Sequence, residues 1–206
     1  MFQIRFRPSD AIEEAADDAR RRYGATDIPV DVDAVLDVKL GMNLVPVPGL
    51  QQRINGDAFT SRDWSEVYYD QNQSATRLRF SLAHELGHFE LHRAEIDALP
   101  ATTTIEEWAQ LYEDLPEDAL GRAEVQANMF AAALLMPRDE LTARFTQALA
   151  GAEDLRRVAV QQGLTRNDYL EYVVQYVATG LAKQFDVSVE AMGWRIRNLS
   201  LASMVP

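Results

Sequence analysis

From Ser74 to Arg93 the chain sets apolar residues around most of a helix, and this segment constrains the fold more than any other. At about 100° per residue, Leu78, Leu82, Leu86 and Phe89 form one stripe, and Phe80, Gly87 and Leu91 form a second. Only Arg79 and Glu90 share a wholly polar sector, and His84, His88 and His92 fall between the stripes. A helix apolar on most of its circumference is buried. The rest of the chain must fold around it, and its histidines are expected in the interior.

The remaining elements follow from local signals. Asp10 with Glu13 three residues on reads as an N-cap and its partner. Ile12, Ala15, Ala16, Ala19 and Tyr23 make a helical stripe that Gly24 closes. A second short helix begins at Asp31, runs through Val35, Leu36 and Leu40 and stops at Gly41. Between Met42 and Asp70 the texture turns β-like, with runs Asn43–Val47, Asp57–Phe59 and Glu66–Tyr69 separated by Pro, Gly and Asn. Residues 95–118 form an acidic surface excursion with a short helix around Ile105–Tyr112. Another helix spans Gly121–Met136 and ends at Pro137. Everything after it reads as helix. The expected class is therefore α+β, with a small mixed sheet beside the histidine helix. Residues 1–137 form one domain and 138–206 a helical C-terminal region, with a helix-turn-helix-like hairpin at 169–199.

Composition narrows the function. The 206 residues, 47% hydrophobic, can fill a real core. No apolar run has the length of a membrane span or a signal peptide, so a cytoplasmic protein without membrane contact is expected. There is no cysteine, which excludes thiol nucleophiles and Cys-based zinc sites. Any metal must be held by nitrogen and oxygen. The net charge of −12 argues against direct nucleic-acid binding. Nine acids against the single base Arg122 lie between Glu95 and Glu124, a local sum of −8.

His84-Glu85-Leu86-Gly87-His88 is an H-E-x-x-H. Histidines four apart stand one helical turn apart on the same side, close enough to bind one zinc ion. Glu85 beside them can take a proton from water and pass it to a leaving amine. A third ligand is needed. Six residues after His88, where a further histidine would serve, the chain has Ala94. His92 stands too far along the axis from His84 to share the ion, at about 1.5 Å per residue, so it is expected to support the ligands or the core. Glu124 is the better candidate, because it faces a stripe of Ala127, Asn128, Ala131 and Leu135. A carboxylate facing a core needs a charge partner, and the alanines would let its helix come close to Gly87. Glu117 and Glu113 are next in line. One turn beyond Glu124, Asn128 can accept the outer N–H of a zinc-bound histidine.

Two segments give the chain a recognisable character. Arg77-Leu-Arg-Phe-Ser-Leu-Ala-His-Glu-Leu-Gly-His88 and Glu124-Val-Gln-Ala-Asn-Met-Phe-Ala-Ala-Ala-Leu-Leu-Met-Pro137, with Ile28-Pro-Val-Asp-Val and Phe185-Asp-Val-Ser, resemble the ImmA/IrrE metallo-endopeptidases. The resemblance implies a gluzincin-like, zincin-type core and one zinc ion, with manganese or another divalent ion as alternatives. It implies Glu124 as third ligand, and as substrate a helix-turn-helix repressor of the phage type whose cleavage derepresses genes. The rival reading is a non-proteolytic DNA- or partner-binding regulator with a structural metal site. The intact Glu85 separates the two, since a structural site needs no base.

Two expectations concern substrate handling. All three histidines lie on one helix, so the oxyanion donor must be another residue, with Tyr169, Tyr172 and Tyr176 as candidates. Strand Glu66–Asp70, just before the histidine helix, is expected to be the edge to which an extended substrate adds. The last helical hairpin carries Lys183, Arg195 and Arg197 against Asp186 and Glu190, a balance of +1 that favours protein docking over DNA reading.

Overall fold

The computed structural model describes residues 3–54, 56–100, 102, 104–150 and 153–205. It divides into two compact units, Met1–Leu135 and Met136–Pro206. The first opens with α1 (Ser9–Tyr23), which buries Ile12, Ala16 and Ala19 and ends on Gly24 at φ +67°. Glycine suits that left-handed turn because it has no Cβ to clash. The residue at the N-cap is Pro8, with no side-chain cap, and the expected cap Asp10 lies inside the first turn. Pro8 offers no side-chain acceptor, but its carbonyl accepts from the Ala11 N–H at 3.0 Å and the Ile12 N–H at 3.2 Å, and Asp10 in the first turn still faces the positive helix end.

Asp31 caps the short helix α2 (Val32–Ala34) by accepting the Ala34 N–H, and the chain continues through a π-helical turn, Val35–Lys39. Three strands follow, β1 (Asn43–Val47), β2 (Ala58–Thr60) and β3 (Glu66–Asp70), with the five-residue helix α3 (Leu50–Ile54) between the first two. The sequence reading has no counterpart for α3. The sheet is mixed, in the order β1-β3-β2, with β1 parallel and β2 antiparallel to β3.

This order corrects the expectation that β3 is the substrate-binding edge. β2 and β3 are joined by a short loop into a hairpin, and β1 pairs with the other side of β3, so β3 is central and β2 is an edge. Ser61 N–H bonds to Glu66 O and Asp70 N–H to Asp57 O. In an antiparallel ladder such bonds alternate along the strand, so the backbone groups of Ala58 and Thr60 face away from β3.

The central helix is α4 (Ala75–Asp97), capped by Ser74, whose hydroxyl accepts the Arg77 N–H. It is longer than its periodic segment and buries Leu82, Ala83, Leu86, Gly87, His88, Leu91, His92 and Ile96. It packs on β2 and β3 on one side and on α6 (Glu117–Leu135) on another, while α1 also packs on α6. Between them lies α5 (Ile105–Glu113), capped by Thr104. At Gly87 α4 and α6 come close together: a Cβ there would meet Ala127 Cα and Ala127 O at 3.1 Å.

Every regular element among the described residues of the second unit is helical: α7 (Arg138–Ala150), α8 (Glu153–Gln161), α9 (Arg166–Phe185), α10 (Val189–Asn198) and a 3-10 turn, Leu201–Met204. Thr165 and Asp168 form a reciprocal capping box at the start of α9. Asp186 in the left-handed region and the N-cap Ser188 turn the chain into α10, which packs against α9; Leu181, Phe185, Met192 and Ile196 on the two helices are buried. The α+β reading, a small mixed sheet followed by a helical C-terminal part, is the fold observed.

Candidate active site

Helix α4 presents His84 and His88 one turn apart, and α6, in close contact at Gly87, brings Glu124 to them. His88 Nε2 lies 2.9 Å from His84 Nε2 and 3.4 Å from Glu124 Oε1, and His84 Nε2 lies 3.2 Å from Glu124 Oε2. Among the described residues these are the ligand-type side chains that converge, with their ligand atoms all within 4.8 Å of one another. A tetrahedral zinc ion about 2.0–2.1 Å from each ligand sets its ligand atoms about 3.3 Å apart. The spacing and the two-nitrogen, one-oxygen chemistry both fit a divalent metal.

The outer nitrogens support this arrangement. His84 Nδ1 lies 3.0 Å from Asn128 Oδ1, an oxygen that can only accept, so Nδ1 carries the proton and Nε2 keeps its lone pair for the site. His88 Nδ1 lies 3.2 Å from Nδ1 of His92, which is fully buried. Burial, and then the neighbouring His88, push the pKa of His92 down to about 3. It is a neutral side chain braced inside the core.

The electrostatics are those of a carboxylate between two imidazoles. Burial pushes the Glu124 pKa up, but its contacts with His84 and His88 outweigh this and hold it well below the usual carboxylate range. Burial would lower the pKa of His84; Glu124, then Glu85 and Asn128, outweigh it and leave the imidazole raised. Glu85 is buried and accepts a 2.6 Å hydrogen bond from the Thr60 hydroxyl on β2. That bond is made to Oε2, and Oε1 has no hydrogen-bond partner among the described residues.

A cavity of about 520 Å³ lies over these residues. His84, Glu85, His88 and Glu124 line it together with the edge residues Ala58, Phe59 and Thr60, and with Trp108 and Tyr112 from α5. The Tyr112 hydroxyl donates to Glu124 Oε1 at 3.0 Å, and its ring stands edge-on to His88. Burial, then the Glu124 charge, raise its pKa far above the ordinary phenol value, so it stays a donor. The indole N–H of Trp108 donates to the Thr60 carbonyl at 3.0 Å. Sequence reasoning missed Tyr112, Trp108 and Thr60. The only local signal was the amphipathic pattern of the short helix in the acidic segment. Tyr169, Tyr172 and Tyr176 lie on α9 of the second unit, the first buried and the other two exposed.

A helix-borne His-Glu-x-x-His joined by a glutamate from the next long helix, beside a small mixed sheet, defines a metallopeptidase-like class. The chain belongs to the Peptidase_M78 family, described as the IrrE N-terminal-like domain, whose model matches residues 39–197. A search of the curated proteins found no match. Among solved structures the chain is similar to a Mycobacterium tuberculosis transcriptional regulator, at 16% identity and a TM-score of 0.51. The similarity covers 88% of this chain and 44% of that protein, so this chain spans less than half its length. At that identity the likeness concerns the fold.

Proposed function

We propose that this chain is a zinc-dependent endopeptidase that cuts a helix-turn-helix transcriptional repressor in the cytoplasm and so releases the genes it silences. The observation that carries the reading is the convergence of His84, His88 and Glu124 within 4.8 Å beside a buried, hydrogen-bonded Glu85 on the wall of an open cavity. A merely structural metal site would need neither the glutamate nor the cavity.

His84, His88 and Glu124 would hold the ion, which as a Lewis acid supplies a water nucleophile near neutral pH and polarises the scissile carbonyl. Glu85, positioned by Thr60, takes the proton from the attacking water on its free oxygen and delivers it to the departing amine. Tyr112 donates a hydrogen bond to the oxyanion of the tetrahedral intermediate, turning from Glu124 as charge develops. It is preferred to the α9 tyrosines because its hydroxyl already lies in the cavity. An extended substrate segment would run along β2, bonding to the outward groups of Ala58.

Charge supports the substrate class. A repressor's DNA-binding face is basic, and the segment Glu95–Glu124 of this chain sums to −8, so opposite fields would speed encounter. Purified, zinc-loaded protein incubated with a helix-turn-helix repressor encoded beside its gene should cut it, more slowly as salt rises. Glu85→Gln should bind the same zinc and leave the repressor whole. If wild type binds the repressor tightly but never cuts it across a range of metals, a regulatory role replaces the peptidase reading.

A further inference from the structure

The outer nitrogen of His88, Nδ1, begins a chain of hydrogen bonds that does not stop at His92. His92 Nε2 lies 3.4 Å from Gln126 Oε1, and Gln126 Nε2 donates to the Arg5 carbonyl at 3.0 Å. His92 and Gln126 are both buried. The direction of this chain follows from its far end. A backbone carbonyl can only accept, so the Gln126 amide must turn its NH₂ towards Arg5 and its oxygen towards His92. That oxygen also only accepts, so His92 carries its proton on Nε2. A neutral imidazole has one donor and one acceptor, so His92 Nδ1 must accept, and the His88 Nδ1 it faces must donate. His88 Nε2 is then left as a lone pair directed at His84 and Glu124.

We infer that Gln126, anchored on the Arg5 carbonyl, is a positioning residue that fixes the tautomer of His92 and through it presents His88 as a metal ligand. The inference rests on the metal-site reading of the proposed function and extends it to residues that touch no metal. It also gives the N-terminal segment a task. That segment ties the two ligand helices together: Arg122 of α6 donates to Ile4 O at 2.8 Å, Gln126 of α6 holds Arg5 O, and Arg7 donates to Leu91 O of α4 at 2.8 Å. Ile4 packs beneath it on Ala119 and Ala123. Arg5 lies outside residues 39–197, the span the family model matches.

The relay makes separable predictions. Gln126→Met keeps the length and apolar bulk of the side chain but removes both hydrogen bonds, and it should weaken zinc binding, read by competition with a chelating dye, about 10- to 100-fold. His92→Leu should weaken it at least as much. His92→Gln, whose amide oxygen can still accept from His88 Nδ1, should recover part of the loss. Folded Gln126→Met and His92→Leu proteins with zinc affinities within about twofold of wild type would overturn the assignment, since losing such a partner normally costs at least tenfold. Should either variant fail to fold, wild type still decides. With three histidines in the chain, nitrogen NMR of isotope-labelled imidazoles should find the His92 proton on Nε2, and a proton on Nδ1 would refute the relay. The same spectrum of metal-free protein reads the His92 tautomer without any bound zinc. A chain that binds no zinc would therefore remove the peptidase reading while that spectrum still decided the relay.

Discussion

Replacing Gly87 by alanine adds one methyl group between the two ligand-bearing helices. The new Cβ would sit 3.1 Å from Ala127 Cα, 3.1 Å from Ala127 O and 3.2 Å from Phe130 Cδ1. Carbon atoms pack comfortably at about 3.5–4.0 Å, so α4 and α6 must part by about 0.4 Å or more. Helix propensity works the other way, because alanine is favoured over glycine by about 1 kcal/mol inside a helix. Overpacking a tight interior costs about 1–3 kcal/mol, which leaves a net destabilisation of about 0–2 kcal/mol. Zinc affinity should respond more strongly, since metal–ligand distances tolerate only about 0.2 Å and Glu124 lies on the helix being displaced. The expected loss is tenfold or more, about 1.4 kcal/mol, measured by chelator competition beside denaturant unfolding of the metal-free protein. Gly121→Ala, on the facing helix α6, is the control: nothing lies within 4 Å of its added Cβ. It should gain up to about 1 kcal/mol of stability and keep its zinc affinity. A Gly87→Ala protein as stable as wild type and binding zinc as tightly would refute the argument.

Three further outcomes test individual side chains. Glu124→Ala should lose zinc as well as activity, because two histidines alone make a weak site; stoichiometric zinc in the purified variant would place the third ligand elsewhere. Tyr112→Phe should lower kcat by about 10²–10³ with zinc still bound. If instead the affinity falls and the loaded enzyme turns over normally, the hydroxyl only braces Glu124. Thr60→Val removes the donor to Glu85 while keeping the side-chain shape; it should lower kcat with zinc affinity unchanged, and an unaltered kcat would show that Glu85 needs no such support.

Much of this site is legible in the sequence because its signals are local. His84 and His88 are one turn apart on a helix whose apolar stripes fix its burial, and Gly87 between them marks a close approach. Glu124 could be picked out because alanines surround it on its helix face, where a bare surface acid would have polar neighbours. The edge strand was misread because strand order is not local: β3 looks like an edge until the hairpin with β2 and the parallel partner β1 are both in place. Tyr112 and Trp108 were invisible for a related reason. They sit among the acids of 95–118, and their role comes from where α5 lies against β2 and α6. The N-cap at Pro8 escaped notice because Asp10 offered a more familiar signal two residues later.

The bond between the Trp108 indole and the Thr60 carbonyl has a consequence for how sequences are read along β2. An uncovered edge would offer a regular ladder, and any extended chain could zip onto it, a second copy of this protein included. Here one outward carbonyl is already satisfied, and the ladder is broken beside Glu85. Backbone pairing is left with the groups of Ala58 and the Thr60 N–H, which is too little to hold a peptide indiscriminately. On the proposed peptidase reading, retention would come from side chains that pack against the Phe59, Trp108 and Tyr112 rings lining the cavity, so a chain without a suitable bulky residue would slide off before it is cut. In a compartment crowded with unfolded and nascent chains, such a partly closed edge would let a peptidase with an open cleft leave most of them alone.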